Sequence, residues 1–101
     1  MMESFSDILG SGDLVLVDFF ATWCQPCRTM HPILEQVKQM AGDRVRIIKV
    51  DVDRMGTASQ FYDIRSVPTL MLVRAGQVLW RQSGVVPAQQ LVDTIHLFAS
   101  R

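Results

Sequence analysis

Leu14-Val15-Leu16-Val17-Asp18-Phe19-Phe20-Ala21-Thr22-Trp23-Cys24-Gln25-Pro26-Cys27 is the stretch whose reading decides the fold. Residues 14–20 form a near-continuous run of β-branched, leucine and aromatic residues, the pattern of a strand covered on both faces. A helix is expected to follow, from about Gln25 to Ala41. Its apolar positions Met30, Leu34, Val37 and Ala41 recur at helical spacing, and Gly42 ends it. Pro26 falls in the first turn, where its missing N–H has no partner to lose. Pro32 lies further in and is expected to kink the helix. A buried strand that runs through a C-x-x-C into a helix is therefore the centre of the chain.

Cys24 and Cys27 are the chain's two cysteines. A bridge across two intervening residues closes almost no loop and adds little stability, so the pair is read as chemistry. Two chemistries compete. A structural zinc site wants four Cys or His ligands, commonly in two separated pairs. Besides this C-x-x-C the chain has His31, one turn past Cys27, and His96 among the apolar positions of the last helix, with no fourth ligand evident. Thiol–disulfide exchange needs two thiols and nothing more.

Working outward, Ser4 to Leu9 reads as a short helix capped by Ser4 or Ser6 and stopped by Gly10-Ser11-Gly12. Val45 to Val52 reads as a second strand, Thr57 to Tyr62 as a short helix, and Val67 to Val73 as a third strand. Ala75-Gly76-Gln77 turns into a fourth strand, Val78 to Gln82, which Gly84 breaks. Pro87 opens a last helix with Leu91, Val92, Ile95 and Phe98 on one face. The order α-β-α-β-α-β-β-α predicts parallel crossovers first, then a hairpin. That makes an α/β fold with a central mixed sheet and helices on both faces.

Composition bounds the rest. The chain has 101 residues, ten basic and ten acidic, and zero formal net charge. That length suits one domain with a core of its own. Balanced charge argues against a nucleic-acid or anionic-membrane surface. No apolar run approaches the roughly 20 residues that a spanning helix needs. Met1-Met2-Glu3-Ser4-Phe5-Ser6-Asp7 is acidic and lacks the basic and apolar regions of a secretory signal, so a cytoplasmic protein is expected.

Asp18 is the odd residue of the first strand. It shares a face with Leu14, Leu16 and Phe20, and a carboxylate buried there without a partner should have its pKa raised towards neutrality. The competing reading is a strand-end carboxylate facing solvent.

The ordered set Val17 to Cys24, Pro26-Cys27-Arg28, Pro32-Ile33-Leu34, Lys49 to Asp53, Ile64 to Leu70, Gly76 and Gly84 resembles the thioredoxin family through nearly the whole chain. It departs from the usual pattern at three points. Gln25-Pro26 stands where Gly-Pro is commonest, Phe20 where many members carry tryptophan, and the family's first edge strand looks shortened or missing.

The resemblance implies the thioredoxin fold, with a sheet of four to five strands and residues 1–101 as a single domain, and dithiol–disulfide exchange without a bound cofactor. Cys24, at the helix N-terminus where unpaired N–H groups favour a thiolate, is expected to attack a client disulfide. Cys27 is expected to resolve the mixed disulfide and close the Cys24–Cys27 bridge. The resemblance makes Asp18 a proton acceptor for Cys27, through water, and Lys49 a residue that tunes it; a plain surface lysine is the alternative at 49. It also implies that Val67–Pro68 is cis. Trp23, Val67, Pro68 and Gly84 would rim a client-docking surface, with Gln25 and Pro26 between the cysteines adjoining it; a tryptophan that only closes the core is the alternative at 23.

The implied partners are disulfide-bearing client proteins and an NADPH-dependent flavoprotein reductase, with a monomer as the default. An oxidase or isomerase of the same fold is the nearer alternative, and a non-catalytic docking module the more distant one. His31 is read as lying on the solvated helix face, with an approach to the cysteines, where an imidazolium would lower a thiol pKa, as the alternative; Arg28 is read as on the charged surface near the site. Trp80 and the six methionines are read as packing.

Overall fold

The computed structural model describes residues 4–100; Met1, Met2 and Glu3 of the acidic opening segment, and Arg101, lie outside the described residues. The elements run α1 (Phe5–Gly10), β1 (Val15–Phe20), α2 (Gln25–Ala41), a 3-10 turn (Gly42–Arg44), β2 (Arg46–Asp51), α3 (Gly56–Phe61), β3 (Thr69–Arg74), β4 (Gln77–Ser83) and α4 (Ala88–Ala99).

Local chemistry accounts for the boundaries. Ser4 caps α1 in a reciprocal capping box with Asp7, which satisfies two otherwise orphaned N–H groups. Helix α2 continues unbroken through Pro32 and stops at Gly42, whose φ of 58° is easy only for glycine. Pro87 caps α4. The β3–β4 hairpin turns on Ala75 and Gly76 alone, both at positive φ, the handedness that a two-residue hairpin requires. Their N–H groups bond to Ser11 O and Leu9 O, tying the end of α1 to this turn.

The four strands are ordered β2-β1-β3-β4 among the described residues. Strand β1 pairs parallel with β2 and antiparallel with β3, and β4 pairs antiparallel with β3. The expectation of successive parallel crossovers is corrected here. Only β1-α2-β2 is a parallel crossover; β3 returns on the other side of β1 in the opposite sense. Strand direction leaves no mark in a segment such as Thr69–Val73, buried throughout, because its apolar run reads alike either way.

A second correction concerns Val67 and Pro68, expected in the third strand. They lie in the loop before β3, where Pro68 has no N–H for the ladder. Thr69 Oγ1 pins that loop by donating to Ser66 O at 2.8 Å.

Alternation along the strands builds two cores. On one face Leu14, Leu16, Leu70 and Leu72 meet Met30, Leu34 and Val37 of α2 and Leu91, Val92 and Ile95 of α4, with Trp80 packed at the margin. On the other, Val15, Val17, Phe19, Val50, Met71 and Val73 meet Leu9 of α1, with Met55, Tyr62 and Ile64 alongside. The sheet is thus covered on both faces, and the C-terminal end of β1 opens where α2 begins.

Candidate active site

Strand β1 ends at Phe20, and Ala21-Thr22-Trp23 leads to Cys24, the N-cap of α2. Cys24 and Cys27 form a disulfide with Cα atoms 5.3 Å apart. The helix itself sets this proximity, because residues three apart in its first turn project to one side. The Cys27 N–H donates to Cys24 Sγ at 3.2 Å, so the orphan amide of the first turn is aimed at sulfur. Cys24 Sγ also lies 3.6 Å from Val67 O. A bridged sulfur carries no proton, so that approach becomes a hydrogen bond only when Cys24 is a thiol. Both cysteines are buried with Ala21 in a small apolar cluster, flanked by Phe20, Val52 and Val67.

The residues expected to rim a docking surface come from three segments. Trp23 is 69% exposed, which excludes the reading that it only closes the core. Its Nε1 donates to Asp53 Oδ2 at 3.0 Å. With Val52, Ile64, Arg65, Ser66 and Val67 it lines a groove of about 260 Å³. The Val67–Pro68 peptide is cis. Gly84, at φ 90°, donates its N–H to Pro68 O at 2.8 Å, so the residue that breaks β4 also anchors the proline loop. Gln25 and Pro26, the first two residues of α2, are exposed beside the disulfide. Arg28 reaches Thr22 O at 3.4 Å and remains at the surface.

Asp18, on β1 ahead of these residues, is fully buried, with no hydrogen-bond partner on either carboxylate oxygen. Desolvation raises its pKa from 3.8 to about 6, and the nearby Lys49 ammonium opposes the rise. The reading as a solvent-facing strand-end carboxylate is excluded. Lys49 is the residue paired with Asp18 across the parallel β1–β2 ladder. Lys49 is itself exposed, as the surface-lysine reading has it, and its Nζ lies 2.8 Å from His31 Nδ1.

His31 only partly fits the solvated-face reading. It is partly buried, with its ring edge-to-face against Phe20 at 5.9 Å between centroids, while its contact with Lys49 stays exposed. Burial first, and the Lys49 charge second, lower its pKa from 6.5. Asp53 was missed altogether. The signal available was Asp51-Val52-Asp53 at the end of the second strand, but nothing in it pointed to an indole 30 positions away.

A disulfide at a helix N-cap, with a buried acid on the strand that leads to it and an exposed tryptophan and a proline loop beside it, defines a thiol–disulfide oxidoreductase site on an α/β sheet. Comparison with known proteins agrees. The Thioredoxin family model matches residues 1–97. A thioredoxin-like protein of Synechocystis is 43% identical over 94% of this chain and 91% of its own. The thioredoxin of Bacillus subtilis is 36% identical, covering 93% and 89%. Thioredoxin Y2 of Arabidopsis thaliana, a chloroplastic protein, is 41% identical over 92% of this chain, which spans 56% of that longer relative. Among solved structures, a mutant thioredoxin from Halobacterium salinarum superposes with a TM-score of 0.83 at 31% identity, covering 92% of this chain and 80% of its own. The chain belongs to the thioredoxin family, and its activity is dithiol–disulfide exchange.

Proposed function

We propose that this chain is a protein-disulfide reductase, with Cys24 as attacking thiol, Cys27 as resolving thiol and Asp18 as the base that serves Cys27. The observation that carries the assignment is the Cys27 N–H directed at Cys24 Sγ at the helix N-cap. An N–H donor and the positive end of a helix favour a thiolate over a thiol at Cys24. In the reduced protein, the Cys24 thiolate attacks one sulfur of a client disulfide; that S–S bond breaks and its other sulfur leaves as a thiolate. Cys27 then surrenders its proton and attacks Cys24 Sγ. The mixed disulfide breaks, the second client sulfur leaves, and the Cys24–Cys27 bridge forms. The client gains two electrons and the dithiol loses two.

Asp18 suits the proton step because a carboxyl raised to about 6 is mostly ionised at neutral pH yet more basic than an ordinary carboxylate. Its uncommitted oxygens are free to accept a proton, directly or through water. Lys49, paired with Asp18 in register, tempers that basicity. The groove between Trp23 and Val67, the Val67 and Pro68 backbone and the Gly84 anchor would hold an extended client segment, reading shape more than sequence. Gln25 and Pro26, exposed next to the sulfurs, would meet the client and set the potential.

We further propose residues 1–101 as one domain, a monomer in the cytoplasm, reduced by an NADPH-dependent flavoprotein reductase and acting on disulfide-bearing client proteins. The family match and the bacterial relatives support this.

The test is insulin-disulfide reduction with a dithiol donor. The unaltered chain should turn over, Cys24→Ser should be inactive, and Cys27→Ser should accumulate a mixed disulfide visible on a non-reducing gel. Equal residual activity in the two variants would overturn the role assignment. Equilibration with glutathione should give a potential near the reducing end of the range, about −270 mV; a value near −120 mV would mark an oxidase instead.

A further inference from the structure

His31 has no part in the exchange as derived above, yet it contacts both Lys49 and Phe20. Its Nδ1 lies 2.8 Å from Lys49 Nζ. An ammonium can only donate, so Nδ1 is the acceptor and the ring proton sits on Nε2. On its other side the ring meets Phe20 edge-to-face. Phe20 is on β1, two residues past Asp18 and on the same sheet face. One imidazole therefore links the strand that carries the buried acid to the lysine paired with that acid.

We infer that His31 is a positioning residue for exchange: it accepts from the Lys49 ammonium and holds that charge where it acts on the Asp18 carboxyl. An unrestrained lysine at this partly open edge would extend into water, where its four-carbon stem has most freedom and its charge is best solvated. Held by Nδ1, the ammonium of this exposed lysine stays beside the sheet, where it attracts the carboxylate of the buried Asp18. The inference rests on the reading of Asp18 as the base for Cys27.

The charged groups on the elements around His31 are Lys49 and Asp51 on β2, Asp18 on β1, and Arg28 and Glu35 on α2 itself. Asp51 Oδ1 accepts from the Asp53 N–H, and Asp51 Oδ2 lies 4.0 Å from Arg54. Arg28 reaches back to Thr22 O. Lys49 is the group bonded to the ring. The contact needs a neutral imidazole, and burial together with the Lys49 charge keeps His31 neutral to lower pH than a free histidine.

The test measures mixed-disulfide resolution against pH in the unaltered chain, His31→Ala, His31→Gln, Asp18→Asn and the His31→Ala/Asp18→Asn double variant. In the unaltered chain the rate should rise through a midpoint near 6. In His31→Ala that midpoint should move up by about half a pH unit, the scale for one charge receding a few ångströms at a partly screened site. His31→Gln, whose amide oxygen can still accept, should restore it. Asp18→Asn should abolish the rise, and adding His31→Ala should then change nothing.

If Asp18→Asn abolishes the rise but His31→Ala leaves the midpoint unmoved or lowers it, the positioning role is overturned and the Asp18 reading stands. If Asp18→Asn keeps the rise, both fall. A separate readout needs no change to His31: in Lys49→Met the His31 titration followed by NMR should move to higher pH, and an unmoved midpoint would refute the contact.

Discussion

Asp18 shows how far one residue can set the behaviour of this site. Its carboxyl is buried and bonded to nothing, so the native protein prefers it protonated: its pKa is about 6, against 3.8 when unfolded. A native pKa above the unfolded one means that the folded state binds the proton more tightly. Stability is therefore full below about 3.8 and is lost as pH rises towards about 6. Asp18→Asn keeps the shape and cannot ionise. With the disulfide intact, urea denaturation should find this variant close to the unaltered chain at pH 4 and more stable by roughly 2–3 kcal/mol at pH 8. A difference that does not change with pH would show that the buried charge is not the cause. Retaining so costly a group fits the proton step assigned to it, because a carboxylate hydrogen-bonded to its surroundings would be a weaker base.

At the scale of elements, the site is assembled by the ends of three of them: the exit of β1, the first turn of α2 and the loop into β3. The first two are consecutive in the chain, so the C-x-x-C announces its own geometry, with one cysteine at the N-cap and the other in the first turn. The third is held by two hydrogen bonds, Thr69 Oγ1 to Ser66 O and the Gly84 N–H to Pro68 O. Gly84 makes its bond from φ 90°, where an L side chain is strained even though a Cβ would meet no neighbouring atom. Gly84→Ala should therefore lower stability by roughly 1–2 kcal/mol, all of it from the backbone. A loss of a few tenths or less, read from urea denaturation midpoints, would show that the loop tolerates other conformations.

Across the whole molecule, two apolar cores clamp a four-stranded sheet, and ten basic residues balance ten acidic ones. With no net charge there is little long-range steering of a client, and the docking proposed above rests on the groove beside Trp23. Insulin reduction should accordingly change less than about twofold between low salt and about 0.5 M salt, since contacts at this range lie inside the screening length. A steep fall would point to docking by local charge.

Much of this was legible from the chain alone, because it depends on near neighbours in sequence. The run from Leu14 to Phe20 could only be a covered strand, Met30, Leu34 and Val37 could only line one helix face, and two cysteines three apart at a helix start had to meet. The sequence by itself thus determined the elements, the redox pair and the family. What only the tertiary structure decided depends on pairs far apart in the chain: the reversed direction of β3, Asp53 under the indole of Trp23, and His31 against Lys49 and Phe20. Local patterns record which side of a segment is apolar. They carry no mark of which polar groups the packing of that side will bring together.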